Sequence, residues 1–186
     1  NTALGHKSLG KNITGEWNVA VGGEALANNT TGNWNLAVGV YSQWNTTTAQ
    51  NNTSLGHKSL QYNTTGFQNV AIGGEALANN TVGYRNQAYG MYALWNNTTG
   101  NYNISVGANS LSNNTTGSNN IAIGDSSGAD ALVNITTSSN KIVLGNNTHD
   151  TLYCKVGTIT TSDIRDKEIK STPVKGLDFV KQINPI

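Results

Sequence analysis

Asn18–Trp34 reads NVAVGGEALANNTTGNW, and variants of these seventeen residues follow one another from Asn1 onward. The glycine at the fifth place returns as Gly5, Gly22, Gly39, Gly56, Gly73, Gly90, Gly107 and Gly124. An unbroken period of this length marks a solenoid, in which each repeat adds one coil to a stack. The opening NVAVG alternates like a short strand. Its third place holds only Ala or Ser, and its fourth place is apolar in every unit. The expectation is that the fourth place fills the coil and the small third place faces a close neighbour, most simply another chain. Behind a small eighth residue comes Leu9, Leu26, Leu60, Leu77, Leu94 or Leu111, and then an NTTG-like segment ending in a second glycine column. Asn, Gly and Thr in this order suit a turn followed by a second short strand. Each coil is therefore expected to hold two strands and two bends, and eight coils to stack to a length on the order of 40 Å.

Composition agrees with a thin scaffold. Only 36% of the 186 residues are hydrophobic and 11% are charged, below the levels usual in globular domains. About three large apolar side chains per coil contribute little against the ordering entropy of the chain, so the coil stack is expected to be an obligate oligomer. A net charge of +1 gives no reason to expect nucleic acid or an anionic membrane as partner, and no apolar run is long enough to span a bilayer as a helix. Cys154 is alone, which leaves no intrachain disulfide. The repeat is already under way at Asn1, so a longer parent chain is expected.

Asn recurs at the first place and near the twelfth, where stacked amides can bond along the stack as ladders. The same asparagines create acceptor triplets for N-glycosylation at Asn12, Asn29, Asn45, Asn63, Asn97, Asn114 and Asn134. Because the repeat generates these triplets by itself, their number says little.

A second period of 51 residues overlays the first. GHKSL at Gly5–Leu9 returns at Gly56–Leu60, GGEALANN at Gly22–Asn29 returns at Gly73–Asn80, and Tyr41 and Trp44 are answered by Tyr92 and Trp95. The variable sixth, seventh, tenth, eleventh, sixteenth and seventeenth places hold nearly all the charges and many aromatics of the repeats, and are expected to face outward. Aromatic faces stack on sugar rings or anchor protein partners, so Tyr41, Trp44, Tyr92 and Trp95 are the candidate receptor or glycan contacts. His6 and His57 stand without a second ligand type beside them, and no metal site or cofactor is expected. Glu24 and Glu75 occupy equivalent places in different coils, which does not fit the paired carboxylates of a glycoside hydrolase. A column of threonines at Thr30, Thr47, Thr64, Thr81, Thr98 and Thr115 allows a further reading as an ice-binding face.

After Gly124 the pattern degrades. NKIVLGNN at Asn140–Asn147 reads as a last, altered strand and turn, and TLYCKVGTITT at Thr151–Thr161 as strand. From Ser162 the chain becomes charged, and Leu177, Val180 and Ile183 recur at helical spacing before Pro185. The organisation expected is a repeat region over 1–139, a β-rich neck over 140–161 and a distinct, partly helical segment over 162–186.

That last segment carries a resemblance. TSDIRDKEIK followed by GLDFVKQINPI resembles the start of the endosialidase-type intramolecular chaperone, which closes many phage tail fibres and tailspikes. The resemblance covers Ser162 to Ile186 only. It implies a module that trimerises and folds the fibre and then cuts itself off. Ser162 and Lys167 match the serine and lysine of that self-cleavage, which would fall between Thr161 and Ser162. A lysine of lowered pKa takes the serine proton and the hydroxyl attacks the adjacent carbonyl. Beyond this single turnover no enzymatic activity is expected. The repeats separately resemble YadA-like head modules, through NVAVG at Asn18, NVAIG at Asn69, NISVG at Asn103 and NIAIG at Asn120. This implies an all-β fold, a trimer of left-handed parallel β-rolls, with loops altered to suit a longer coil. Together the two resemblances imply a homotrimeric fibre segment of a phage or other virus, on the virion among other tail proteins, engaging a host-surface glycan or protein. The alternative they leave is a YadA-like adhesin head on a cell surface.

Overall fold

The computed structural model describes residues 1–149. They form a parallel β-solenoid with one three-residue strand per coil. The strands are β1 (Thr2–Leu4), β2 (Val19–Val21), β3 (Leu36–Val38), β4 (Thr53–Leu55), β5 (Val70–Ile72), β6 (Gln87–Tyr89), β7 (Ile104–Val106), β8 (Ile121–Ile123) and β9 (Ile142–Leu144). They pair in chain order into a single nine-stranded sheet. Each residue sits beside its equivalent seventeen positions on, as in Ala20 beside Ala37. Only the last step differs, where Ile121 pairs with Ile142. The strand expected in 140–147 is thus present as β9. The expected strand at 151–161 and the segment 162–186 lie outside the described residues.

Strand orientation reverses the expectation. The small third residues Ala20, Ala37, Ser54, Ala71, Ala88, Ser105 and Ala122 are the buried ones. The second and fourth residues, such as Val19 and Val21, lie on the outer face; the fourth is apolar in every strand, whereas the second is polar at Thr2, Thr53 and Gln87. The reason is the thinness of the coil. Opposite the strand stand the eighth and ninth residues, for example Ala25 and Leu26, Ala76 and Leu77, and Ala93 and Leu94, all fully buried. One leucine per coil fills the interior, not three large side chains, and leaves room for a methyl group across from it.

The second strand of each coil is absent. After the glycine the chain makes overlapping turns, in which the Ala25, Ala27 and Asn29 amides bond back to the carbonyls of Gly22, Glu24 and Leu26. The amides between them point along the stack: Glu24 donates to His6, Leu26 to Ser42 and Asn28 to Trp44. Alternate peptides thus face inward to a turn and outward to a neighbouring coil, and the residues at places 7, 9 and 17 take left-handed φ, as in Glu24 (57°), Leu26 (50°) and Trp34 (55°). In the NTTG segment the amides of Ile13, Thr14 and Gly15 all converge on the Thr30 carbonyl. That convergence holds the coils together but is not a strand ladder.

Two asparagine ladders complete the interior. At the first place, each side-chain oxygen accepts from the backbone amide of the next coil's asparagine, as Asn69 Oδ1 does from Asn86 N at 2.9 Å. The same residue's amide nitrogen donates fourteen residues ahead, Asn69 Nδ2 to Gly83 O at 2.9 Å. At the twelfth place, Asn97 Nδ2 donates to Asn80 Oδ1 at 2.8 Å and Asn114 Nδ2 to Asn97 Oδ1 at 2.8 Å. Fixing coil to coil and closing each coil on itself with one side chain explains why asparagine recurs here.

Candidate functional site

The third coil departs from the others inside. Gln43 stands in the place of the core leucine and donates to Leu36 O and Ser54 Oγ, both at 2.9 Å. Ser54 also bonds Ser42, which in turn bonds Ser59. This polar layer divides the apolar core into a cluster around Leu26 and a longer one from Leu60 to Ile135. The layer is fully buried, which makes it part of the scaffold, although Gln43 Oε1 is left without a partner.

The outward places form two groups. The first holds the predicted contacts. Tyr41 and Trp44 meet edge to face, with ring centroids 6.2 Å apart and planes at 87°. Tyr92 and Trp95 repeat the arrangement at 6.0 Å and 81°. Trp44 Nε1 donates to Glu24 Oε2 at 2.9 Å, and Trp95 Nε1 to Glu75 Oε2 at 3.2 Å. All four aromatic residues are half-buried. The structure brings each Tyr–Trp pair together and keeps the two pairs three coils apart, about 14 Å along the sheet at the usual strand spacing. Sequence reasoning passed over Glu24 and Glu75 as partners of the tryptophans. The signal was there, since the 51-residue period repeats the glutamates along with the aromatics.

The second group lies at the sixteenth and seventeenth places. Phe67 stacks on Tyr84 at 4.8 Å with planes 2° apart, and Tyr84 meets Tyr102 at 5.3 Å. Arg85 donates to Gln68 Oε1 at 2.8 Å and to the Tyr102 hydroxyl at 3.0 Å, and its guanidinium lies 5.5 Å from the Tyr102 ring centre. The Tyr84 hydroxyl is raised above the ordinary phenol range, chiefly by its interaction with Tyr102. Along this corner Trp17 and Trp34 are 66% and 53% exposed.

The glycosylation triplets separate by burial. Asn29, Asn63, Asn97 and Asn114 are fully buried in the ladder and cannot carry a glycan in the folded chain, whereas Asn134 is exposed. The threonine column from Thr30 is also engaged, because each hydroxyl donates to the next coil's carbonyl, as Thr81 Oγ1 does to Thr98 O at 3.0 Å. His6 and His57 have no ligand partners, and among the described residues no group of His, Cys, Asp or Glu side chains could hold a metal ion. No helix of the described residues is long and apolar enough to cross a membrane. Ser162 and Lys167 lie outside the described residues. Compared with known proteins, the chain matches no family model, no curated protein and no solved structure.

Proposed function

We propose that the chain is a segment of a homotrimeric attachment fibre of a phage or other virus, built of left-handed β-rolls and ending in a helix-containing chaperone segment. The observation that carries the reading is the outer face of the sheet. From Leu4 (67% exposed) through Val38, Ile72 and Val106 to Leu144 (51% exposed), one row of large apolar side chains runs the length of nine strands, beside a second row that Thr2, Thr53 and Gln87 interrupt. Strand dimensions make this face roughly 400 Å², in the range of the largest apolar patch of a typical monomer, which is often a functional surface. Identical chains related by a threefold axis would bring the same face of each coil together at every level, supplying the burial that one leucine per coil does not. A stiff trimer then presents each outward group three times, and weak contacts gain avidity from simultaneous engagement.

The solution mass tests the association. The chain is expected to sediment as a trimer, and Val38→Lys with Ile72→Lys and Val106→Lys to yield monomers; a monomeric natural chain would end this reading. Competition tests attachment: added protein is expected to slow adsorption of virions that carry this chain. By the resemblance of 162–186, the one covalent step is self-cleavage at Thr161–Ser162, which Ser162→Ala or Lys167→Ala should abolish in a chain carrying the whole chaperone.

A further inference from the structure

The 51-residue duplication allows the chain to be compared with itself. At the sixteenth and seventeenth places not one of six residues is shared between the two blocks: Glu16, Trp17, Asn33, Trp34, Gln50 and Asn51 face Phe67, Gln68, Tyr84, Arg85, Asn101 and Tyr102. Around the two tryptophans the glutamate, the tyrosine and their nearest neighbours are kept, although Gly10 and Lys11 of the preceding coil become Gln61 and Tyr62. Glu24, Ala27, Asn28, Tyr41, Trp44 and Asn45 return as Glu75, Ala78, Asn79, Tyr92, Trp95 and Asn96. The scaffold does not ask for this. The tenth place, which holds both tryptophans, is Gly10, Ala27, Gln61, Ala78 and Ser112 in other coils of the same shape. The seventh place has left-handed φ, 58° at both Tyr41 and Tyr92, where a bulky ring is unfavourable.

We propose that the Glu24–Tyr41–Trp44 and Glu75–Tyr92–Trp95 clusters form two notches for the rings of an uncharged, hydroxyl-rich glycan, spaced so that one linear oligosaccharide bridges both. The hydrogen bond from each indole N–H to the glutamate fixes the ring in place and uses up its polar edge. What remains for a ligand is the aromatic face, which suits the C–H side of a pyranose. The glutamate keeps acceptor capacity for sugar hydroxyls; in the groove at Trp95, where Glu75 is the one charged lining residue, its charge disfavours an anionic ligand, while Lys7 and Lys11 offset Glu24 in the groove at Trp44. Asn28 supports the wall by donating to Trp44 O at 3.0 Å. Open grooves of about 410 Å³ lie beside the tryptophans, one towards the preceding coils and bounded by Lys7, Lys11, Glu24, Asn28 and Trp44, the other towards the following coil and bounded by Glu75, Tyr92, Trp95, Asn109, Ser112 and Asn113. Since the two Tyr–Trp pairs occupy the same places in coils stacked in register, they share one side of the stack about 14 Å apart. A chain reaching both gains effective concentration with no new contact.

This deepens the attachment reading and depends on it for its biological use alone. The experiment follows the indole N–H resonances of Trp44 and Trp95 and the calorimetric affinity during titration with disaccharides and hexasaccharides of glucose, mannose and galactose. A uronic-acid hexasaccharide is the anionic comparison. At least one neutral hexasaccharide is expected to shift both indoles and to bind at least about tenfold more tightly than its disaccharide. Trp44→Ala or Trp95→Ala alone should remove that advantage, and Glu24→Gln with Glu75→Gln should weaken binding while the unchanged backbone spectrum reports an intact fold. Indoles unmoved by every neutral sugar, tighter binding of the uronic acid, or single variants that bind as well as the natural chain would each overturn the proposal. Virions that adsorb although the indoles do not respond would remove the notches and leave attachment standing. Sugar binding without competition for adsorption would do the reverse.

Discussion

The fifth-place glycines answer to two demands at once. Gly73 has φ of 134°, and a Cβ there would lie 2.5 Å from the Gly90 carbonyl oxygen of the next coil. Gly73→Ala is expected to cost more than about 3 kcal/mol, as strained backbone meets an immovable neighbour. Gly23→Ala, with nothing within 4 Å of its Cβ, should stay within about 0.5 kcal/mol; urea midpoints of the two variants check both. The second glycine column likewise meets a carbonyl of the next coil, as a Cβ at Gly83 would lie 2.5 Å from Gly100 O, and adds a second obstacle. A Cβ at Gly83 would run into the Asn80 side-chain oxygen of its own coil, and the same holds for every glycine of that column preceded by a ladder asparagine. Ala49 is the exception, and in its coil the asparagine is Thr46. Losing the side-chain amide removes one of the two obstacles to the methyl group. It also breaks the ladder and leaves Asn29 Oδ1 and Thr46 Oγ1 buried without partners. Thr46→Asn with Ala49→Gly is therefore expected to restore the ladder and stabilise by about 1–2 kcal/mol, a rise of about 2–8 °C in thermal midpoint. Thr46→Asn alone should gain less, because Ala49 then crowds the new side chain.

At the level of the coil, the sequence showed the period, the strand, the leucine column and the ladders, since each is a one-residue regularity. It did not show which side of the strand faces in. Three-residue strands with an Ala flanked by two larger residues read equally well in both directions, and the choice is made by the leucine on the opposite wall. The last coil shows tertiary compensation too. Gly128 occupies the leucine's place, and the side chain of Ile135, four residues beyond the ordinary register, reaches to within 3.5 Å of where its Cβ would be. Ile135 also stands where the ladder asparagine would be, which leaves Asn114 Oδ1 unpartnered. The extra residues form a loop held by Asp130, whose carboxylate accepts from the amides of Leu132, Val133 and Asn147 at 2.7–2.9 Å. These bonds, that of Val133 foremost, lower its pKa. A lowered folded-state pKa means that the contribution is complete above the unfolded value of about 3.9 and is lost as pH falls through the folded one. Acid titration should shift the Leu132, Val133 and Asn147 amide resonances together, below pH 4, while those of β5 stay in place; Asp130→Asn should show the acid-state shifts at neutral pH.

For the molecule as a whole, the stack distributes its chemistry by corner. One side is a sheet face with an unbroken apolar row, one corner carries varied aromatics around Arg85, and the turn side carries the same Glu–Tyr–Trp cluster twice. The tandem notches predict that ligand length matters, and the sheet face predicts that the natural chain is not a monomer. The aromatic candidates were legible because the 51-residue period repeats them. Their glutamate partners become partners only when coils stack, since Glu24 and Trp44 are twenty residues apart in the chain and adjacent across one coil boundary. The sequence by itself determined the solenoid, its seventeen-residue coil, its leucine column and its asparagine ladders, because periodic identity forces equivalent residues into register. Only the tertiary structure decided that alanine faces in and the larger residues face out, that leucines and glutamates adopt left-handed φ, and that the NTTG segment is no strand. Those outcomes follow from closing a seventeen-residue ring around a single leucine, a constraint that belongs to the closed coil and to no residue within it.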